Sequence, residues 1–91
     1  NINREILCIE ETMNYCIAVF KSRSATLAFA RLLRAHNIPC AIVNTPNRIG
    51  HACGISVKFL NEYMVKARDL VNSRLNMSFS GFYSYNDYMK I

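Results

Sequence analysis

The stretch Tyr15-Cys16-Ile17-Ala18-Val19-Phe20-Lys21-Ser22-Arg23-Ser24-Ala25-Thr26-Leu27-Ala28-Phe29-Ala30-Arg31-Leu32-Leu33 changes period half-way along, and that change decides the fold. Tyr15 to Phe20 is a short, apolar, β-prone run that suits a central strand. It ends in the polar turn Lys21-Ser22-Arg23-Ser24. From there Ala25, Ala28, Phe29, Leu32 and Leu33 mark one face of a helix, with Ser22 or Ser24 available to cap its free amides and Arg31 and Arg34 pointing elsewhere. Asn37 suits the left-handed position after the last turn and Pro39 blocks continuation, so the helix ends near His36.

Working outward, Cys40 to Val43 reads as a second strand, followed by a loop punctuated by Pro46, Asn47, Gly50 and Gly54. Ile55, Val57 and Phe59 alternate with Ser56 and Lys58, the pattern of a half-buried antiparallel strand. Asn61 is a good N-cap, and Met64, Ala67, Leu70 and Val71 give a second helix its apolar stripe. Ser78 to Tyr85, with Phe79, Gly81, Tyr83 and Tyr85 in alternation, closes as a fourth strand. The order strand, helix, strand, strand, helix, strand predicts an α+β, ferredoxin-like two-layer sandwich, βαββαβ, with two helices on one face of an antiparallel sheet. Residues 14–85 form this single domain. Residues 1–13 read as an N-terminal arm, helical by the spacing of Ile2, Ile6, Ile9 and Met13 or extended over Ile6 to Ile9, and residues 86–91 as a loose C-terminal tail.

At 91 residues and 52% hydrophobic content, one core is affordable and a two-domain enzyme is excluded. With 19% charged residues the chain is not a disordered polyelectrolyte. No apolar run approaches the roughly 20 residues of a membrane span, and the start lacks the basic-then-apolar order of a signal peptide. A soluble, cytoplasmic protein is expected. The net charge of +5 is unevenly placed: Lys21, Arg23, Arg31, Arg34, Arg48 and Lys58 fall between Glu11 and Glu62, where no acidic residue occurs. That basic middle is either the ordinary charge of a soluble domain or a site for an anion or acidic partner.

The cysteines Cys8, Cys16, Cys40 and Cys53 have no zinc-ribbon spacing, and with nothing marking secretion they are expected as reduced thiols. Cys16 and Cys40 lie in strand-like apolar runs and read as small buried hydrophobes. Cys53 differs, because it closes a loop and precedes Gly54. In a split β-α-β topology the first two strands exit at one end of the sheet. The Lys21 to Ser24 turn then lies beside the loop carrying Arg48, His51 and Cys53. Helix N-termini and cationic side chains lower a thiol pKa from about 8.5, and Gly54 leaves the sulfur approachable. His51 and Cys53 lack a full ligand set for a metal, and no cofactor motif is present. A Ser-His-Asp set, a phosphate-binding glycine loop and a catalytic carboxylate pair are also missing, which excludes an ordinary hydrolase or kinase. Phe59, Tyr83 and Tyr85 could imitate the base-stacking platform of an RNA-recognition sheet, but the third strand lacks its basic, glycine and aromatic density, and Phe59 shares the alternation of the core-facing residues.

Ala18-Val19-Phe20 before a Ser-containing turn, Asn37-Ile38-Pro39, Thr45-Pro46, and Cys53-Gly54-Ile55-Ser56-Val57-Lys58-Phe59 together resemble the bacterial selenium/sulfur carrier protein-like family, a domain of unknown function. The resemblance covers about residues 14–85. Its most specific element is the Thr-Pro turn followed by Cys-Gly and an alternating strand. It implies that Cys53 is the carrier thiol, holding a persulfide or selenosulfide. From the predicted topology rather than the resemblance, Lys21 and Arg48 would stabilise the anion, and Ser22, Arg23, Ser24, Thr45, Pro46, His51 and Gly54 would complete an anion- or partner-binding surround. Such a protein is a carrier rather than a turnover enzyme. Its expected partners are a cysteine desulfurase or other sulfur or selenium donor and an acceptor protein, with no membrane and no nucleic acid, and with room for a homo-oligomer. The alternative is a noncatalytic interaction or regulatory module that presents its sheet face, the arm at residues 1–13, or exposed aromatics from Phe82 and the Tyr85 to Tyr88 tail.

Overall fold

A computed structural model describes residues 14–50, 53–75 and 78–91. The expected arm at residues 1–13, with Cys8, and the expected site residue His51 lie outside the described residues. The elements run β1 (Tyr15–Phe20), α1 (Arg23–Ala35), β2 (Cys40–Asn44), a 3₁₀ turn (Asn47–Ile49), β3 (Ile55–Leu60), a second 3₁₀ turn (Asn61–Tyr63), α2 (Met64–Leu70) with a π-helical extension (Val71–Leu75), and β4 (Phe79–Ser84). The four strands form one sheet in the order β2-β3-β1-β4, with every neighbouring pair antiparallel. β3 therefore lies between β1 and β2, and β1 between β3 and β4, so the two β-α-β halves interleave. Among the described residues, no helix is long and apolar enough to cross a membrane.

Alternation along β1 sorts its side chains onto two faces. Cys16, Ala18 and Phe20 join Val57, Phe59 and Phe82 against Phe29, Ala30 and Leu33 of α1 and Ala67, Leu70 and Val71 from the second helical segment. Both helices thus cover one face, completing an α+β two-layer sandwich. Phe29 sits 5.3 Å from Phe20 and 6.3 Å from Phe59, ring centre to ring centre, and Phe59 meets Phe82 edge-on at 5.9 Å. Phe82 is therefore core rather than exposed aromatic surface. On the opposite face Ile17 and Val19 are also sealed, beneath Ile49, Val43, Tyr83, Tyr85 and Tyr88. At this part of the sheet the second face is covered by the protein itself.

Three local expectations are corrected. Asn61 makes no side-chain cap, since the chain enters α2 through a 3₁₀ turn, and the Asn61 amide donates to the Asn14 carbonyl at 2.8 Å. In β4, Phe20 faces Phe79 while Val19 faces Gly81, so Ser80 is an extra residue in the register. This bulge turns both Phe79 and Phe82 toward the helices and breaks the simple alternation of Phe79 with Tyr83. Finally, the tail after Asn86 is not loose. Tyr88 adopts φ 58°, the chain reverses, and Lys90 bridges to Tyr83, with the Ser84 amide donating to Met89 and the Ile91 amide to Phe82. The returning tail occupies backbone groups of β4 that an edge strand otherwise leaves open.

Candidate functional site

β1 and β2 are both antiparallel to β3, so they run in the same direction and leave the sheet at one end. At that end Ser22 caps α1, its Oγ accepting the Ala25 amide at 3.0 Å, as the Ser-containing turn predicts. The Thr26 hydroxyl, one turn on, donates to the Ser22 carbonyl at 3.0 Å and lies 3.4 Å from the Cys53 sulfur. The Cys53 amide donates to the Phe20 carbonyl at 3.3 Å, fixing the residue to the end of β1. Its thiol, half-buried, is also 3.5 Å from the Ile55 carbonyl. With one proton to give, the S–H donates either to Ile55 or to Thr26.

The backbone around Cys53 is held from β2. Thr45 donates its amide to the Gly54 carbonyl at 2.9 Å, and its hydroxyl pairs with that of buried Ser56. Gly54 has φ 102°, which a side chain would strain, and apart from its chain neighbours no described residue comes within 4 Å of where a Cβ would stand. Pro46 leads into the 3₁₀ turn, accepting the Ile49 amide at 3.1 Å, and Gly50 ends that turn at φ 70°. Ser24 reaches the Ser22 hydroxyl at 3.4 Å, and Arg23 is exposed on the first turn of α1.

The basic side chains expected around the thiol go in different directions. Arg48 turns to the tail, where its guanidinium donates to the Asp87 carbonyl at 3.3 Å. Lys21 donates its amide to Ser78 at 2.7 Å and lines a cleft on the β4 flank of β1, whereas Cys53 is bonded on the β3 flank. Thr26 and Ser56 are the residues that sequence reasoning missed. Both are fully buried and hydrogen-bonded. Thr26 carried a usable signal, because it stands three residues before Phe29 and seven before Leu33, on the core face of the helix.

The other described thiols are of a different kind. Cys16 is sealed in the core, its thiol 3.6 Å from the Phe59 carbonyl, and burial pushes it up to about 12. Cys40 packs against the core with its thiol 3.5 Å from the Ala30 carbonyl, and burial raises it too, against an opposing pull from Arg34. No group of three or more His, Cys, Asp or Glu side chains gathers to hold a metal among the described residues.

The family described as "putative Se/S carrier protein-like" matches residues 15–84, from the first residue of β1 to the last of β4. The chain belongs to that family. No curated protein and no solved structure matches it. The matched span of this Se/S carrier-like domain includes Cys53 with its Thr26 and Gly54 surround, and stops short of the returning tail that carries Lys90.

Proposed function

We propose that Cys53 is the carrier thiol of this Se/S carrier-like domain and holds sulfur as a persulfide or selenium as a selenosulfide. The observation that carries this reading is the pairing of the half-buried Cys53 sulfur with the Thr26 hydroxyl on the first turns of α1, while Cys16 is sealed in the core and Cys40, also half-buried, packs against it. In the loading step the Cys53 sulfur attacks the outer sulfur of a donor persulfide. A new S–S bond forms at Cys53, the donor's S–S bond breaks, and the donor leaves as a thiolate that takes up the proton Cys53 releases. No outside oxidant is consumed. Unloading is the same exchange with an acceptor nucleophile, and Cys53 is then the leaving group.

Thr26 suits both directions. Its hydroxyl proton, given to Ser22 when Cys53 is a thiol, can turn to the sulfur when charge forms there. Glycine at position 54 puts no side chain beside the added chalcogen. A cysteine desulfurase fits the donor role, and a thiol- or selenol-accepting protein the acceptor role. Timed alkylation at neutral pH, read by peptide mass, tests this reading: Cys53 is expected to react faster than the same peptide unfolded in urea, and Thr26→Val to lose part of that advantage. Reaction at Cys53 no faster than in the unfolded peptide would overturn it.

A further inference from the structure

On the other flank of β1, about 640 Å³ of cleft opens between Lys21, Ile49, Gly50, Phe79, Tyr83 and Lys90, with Ser80 also on its wall. The volume is in the range of small-molecule sites and well beyond that of a bare ion. Its chemistry is divided. Ile49 and Phe79 supply apolar surface on its wall, Phe79 from the helix-covered side of the sheet and Ile49 from the other. Lys21 and Lys90 supply two positive charges, and among the described residues neither has a carboxylate partner.

Lys90 is placed there by several independent features. The reversal at Tyr88 and the Tyr83 bridge bring the tail back along β4, and the Arg48 bond to Asp87 ties down the turn. The Lys90 stem then crosses Gly81: a Cβ at that position would stand 2.8 Å from the Lys90 Cε and 3.6 Å from its Nζ. A glycine at the bulge, at φ 149°, is what lets the lysine lie across the strand. The sequence suggests the tail only as exposed aromatic surface and gives Lys90 no role.

We infer that this cleft binds a small organic phosphate monoester, its phosphate between Lys21 and Lys90 and its apolar body on Ile49 and Phe79. A phosphate monoester carries close to two negative charges near neutral pH, which matches two ammonium groups, and it has enough acceptor oxygens to engage both. The inference stands apart from the carrier reading, because Cys53 does not line the cleft among the described residues.

Phenyl phosphate is the probe, titrated into the isotope-labelled full chain while amide resonances are followed. Saturable shifts are expected at Lys21, Gly50, Gly81 and Lys90, with phenol giving none and inorganic phosphate binding more weakly. Lys21→Gln and Lys90→Gln, both at exposed positions, should each weaken binding by about tenfold, and added salt should do the same. The inference is overturned if those amides do not shift, if the double variant binds as tightly as the parent, or if inorganic phosphate binds as well as phenyl phosphate. The same titration on Cys53→Ser separates the two readings: unchanged binding there supports the cleft whether or not Cys53 carries a chalcogen.

Discussion

Beneath the helices, Cys16 shares a sealed layer with Phe29, Phe59 and Phe82, its sulfur 3.6 Å from the Phe59 carbonyl. At the end where β1 and β2 leave the sheet, the materials are different: the hydroxyls of Ser22, Thr26, Thr45 and Ser56, two positive-φ glycines, and a half-buried thiol. The same residue type, cysteine, occurs in both places. In the first it is packing, because taking its charged form out of water costs more than the site returns. In the second it is half-buried and has a hydroxyl partner. Burial and hydrogen-bond supply, rather than the thiol itself, divide an inert cysteine from a usable one.

The largest break in that comparison comes from the sealed layer. Phe29→Ala removes a ring in contact with both Phe20 and Phe59 and should cost about 3–5 kcal/mol, read as a lower denaturation midpoint in urea. The Cys16 thiol offers a pH test of the same layer. Its folded value, about 12, lies above the unfolded value of about 8.5, so the unfolded chain loses this proton first. Its contribution to stability is complete below about pH 8.5 and is lost as pH rises toward about 12. Replacing Cys16 with Ala should flatten the fall of stability over that window relative to the parent chain. Gly54→Ala acts at the other end. It forces a side chain into φ 102° without creating a clash, and should cost about 1–3 kcal/mol, with faster amide exchange at Thr45, which bonds to the Gly54 carbonyl. An unchanged Thr45 amide would show that the exit end is not held in the way described.

How far the sequence reads depends on how local each signal is. The shift from strand to helix after Phe20 places β1, a serine cap at Ser22 or Ser24 and the end of α1 near His36, and the structure caps with Ser22 and ends at Ala35, because propensity, capping and the Asn37-Ile38-Pro39 stop all agree. The α+β two-layer sandwich, with both helices on one face of an antiparallel sheet, also follows, since a chain of this size with this element order leaves few alternatives. What is not legible depends on register and on contacts distant in sequence. The bulge at Ser80 is invisible in a run of Phe, Ser, Gly, Phe and Tyr that also fits plain alternation. The return of residues 86–91 rests on a left-handed Tyr88 and on bonds to β4, which no local pattern announces. The topology correctly brings the α1 cap to Cys53, but direction of side chains is another matter: Arg48 and Lys21 share that end and point to the tail and the cleft. Charge clustered along a sequence does not stay clustered in space.

The most direct measurement of the carrier role is to incubate the protein with a cysteine desulfurase and cysteine and follow its intact mass. Addition of one sulfur atom, removed by a thiol reductant, present in the parent and absent from Cys53→Ser, is the predicted result. Addition to Cys53→Ser at the parent's level would contradict the account.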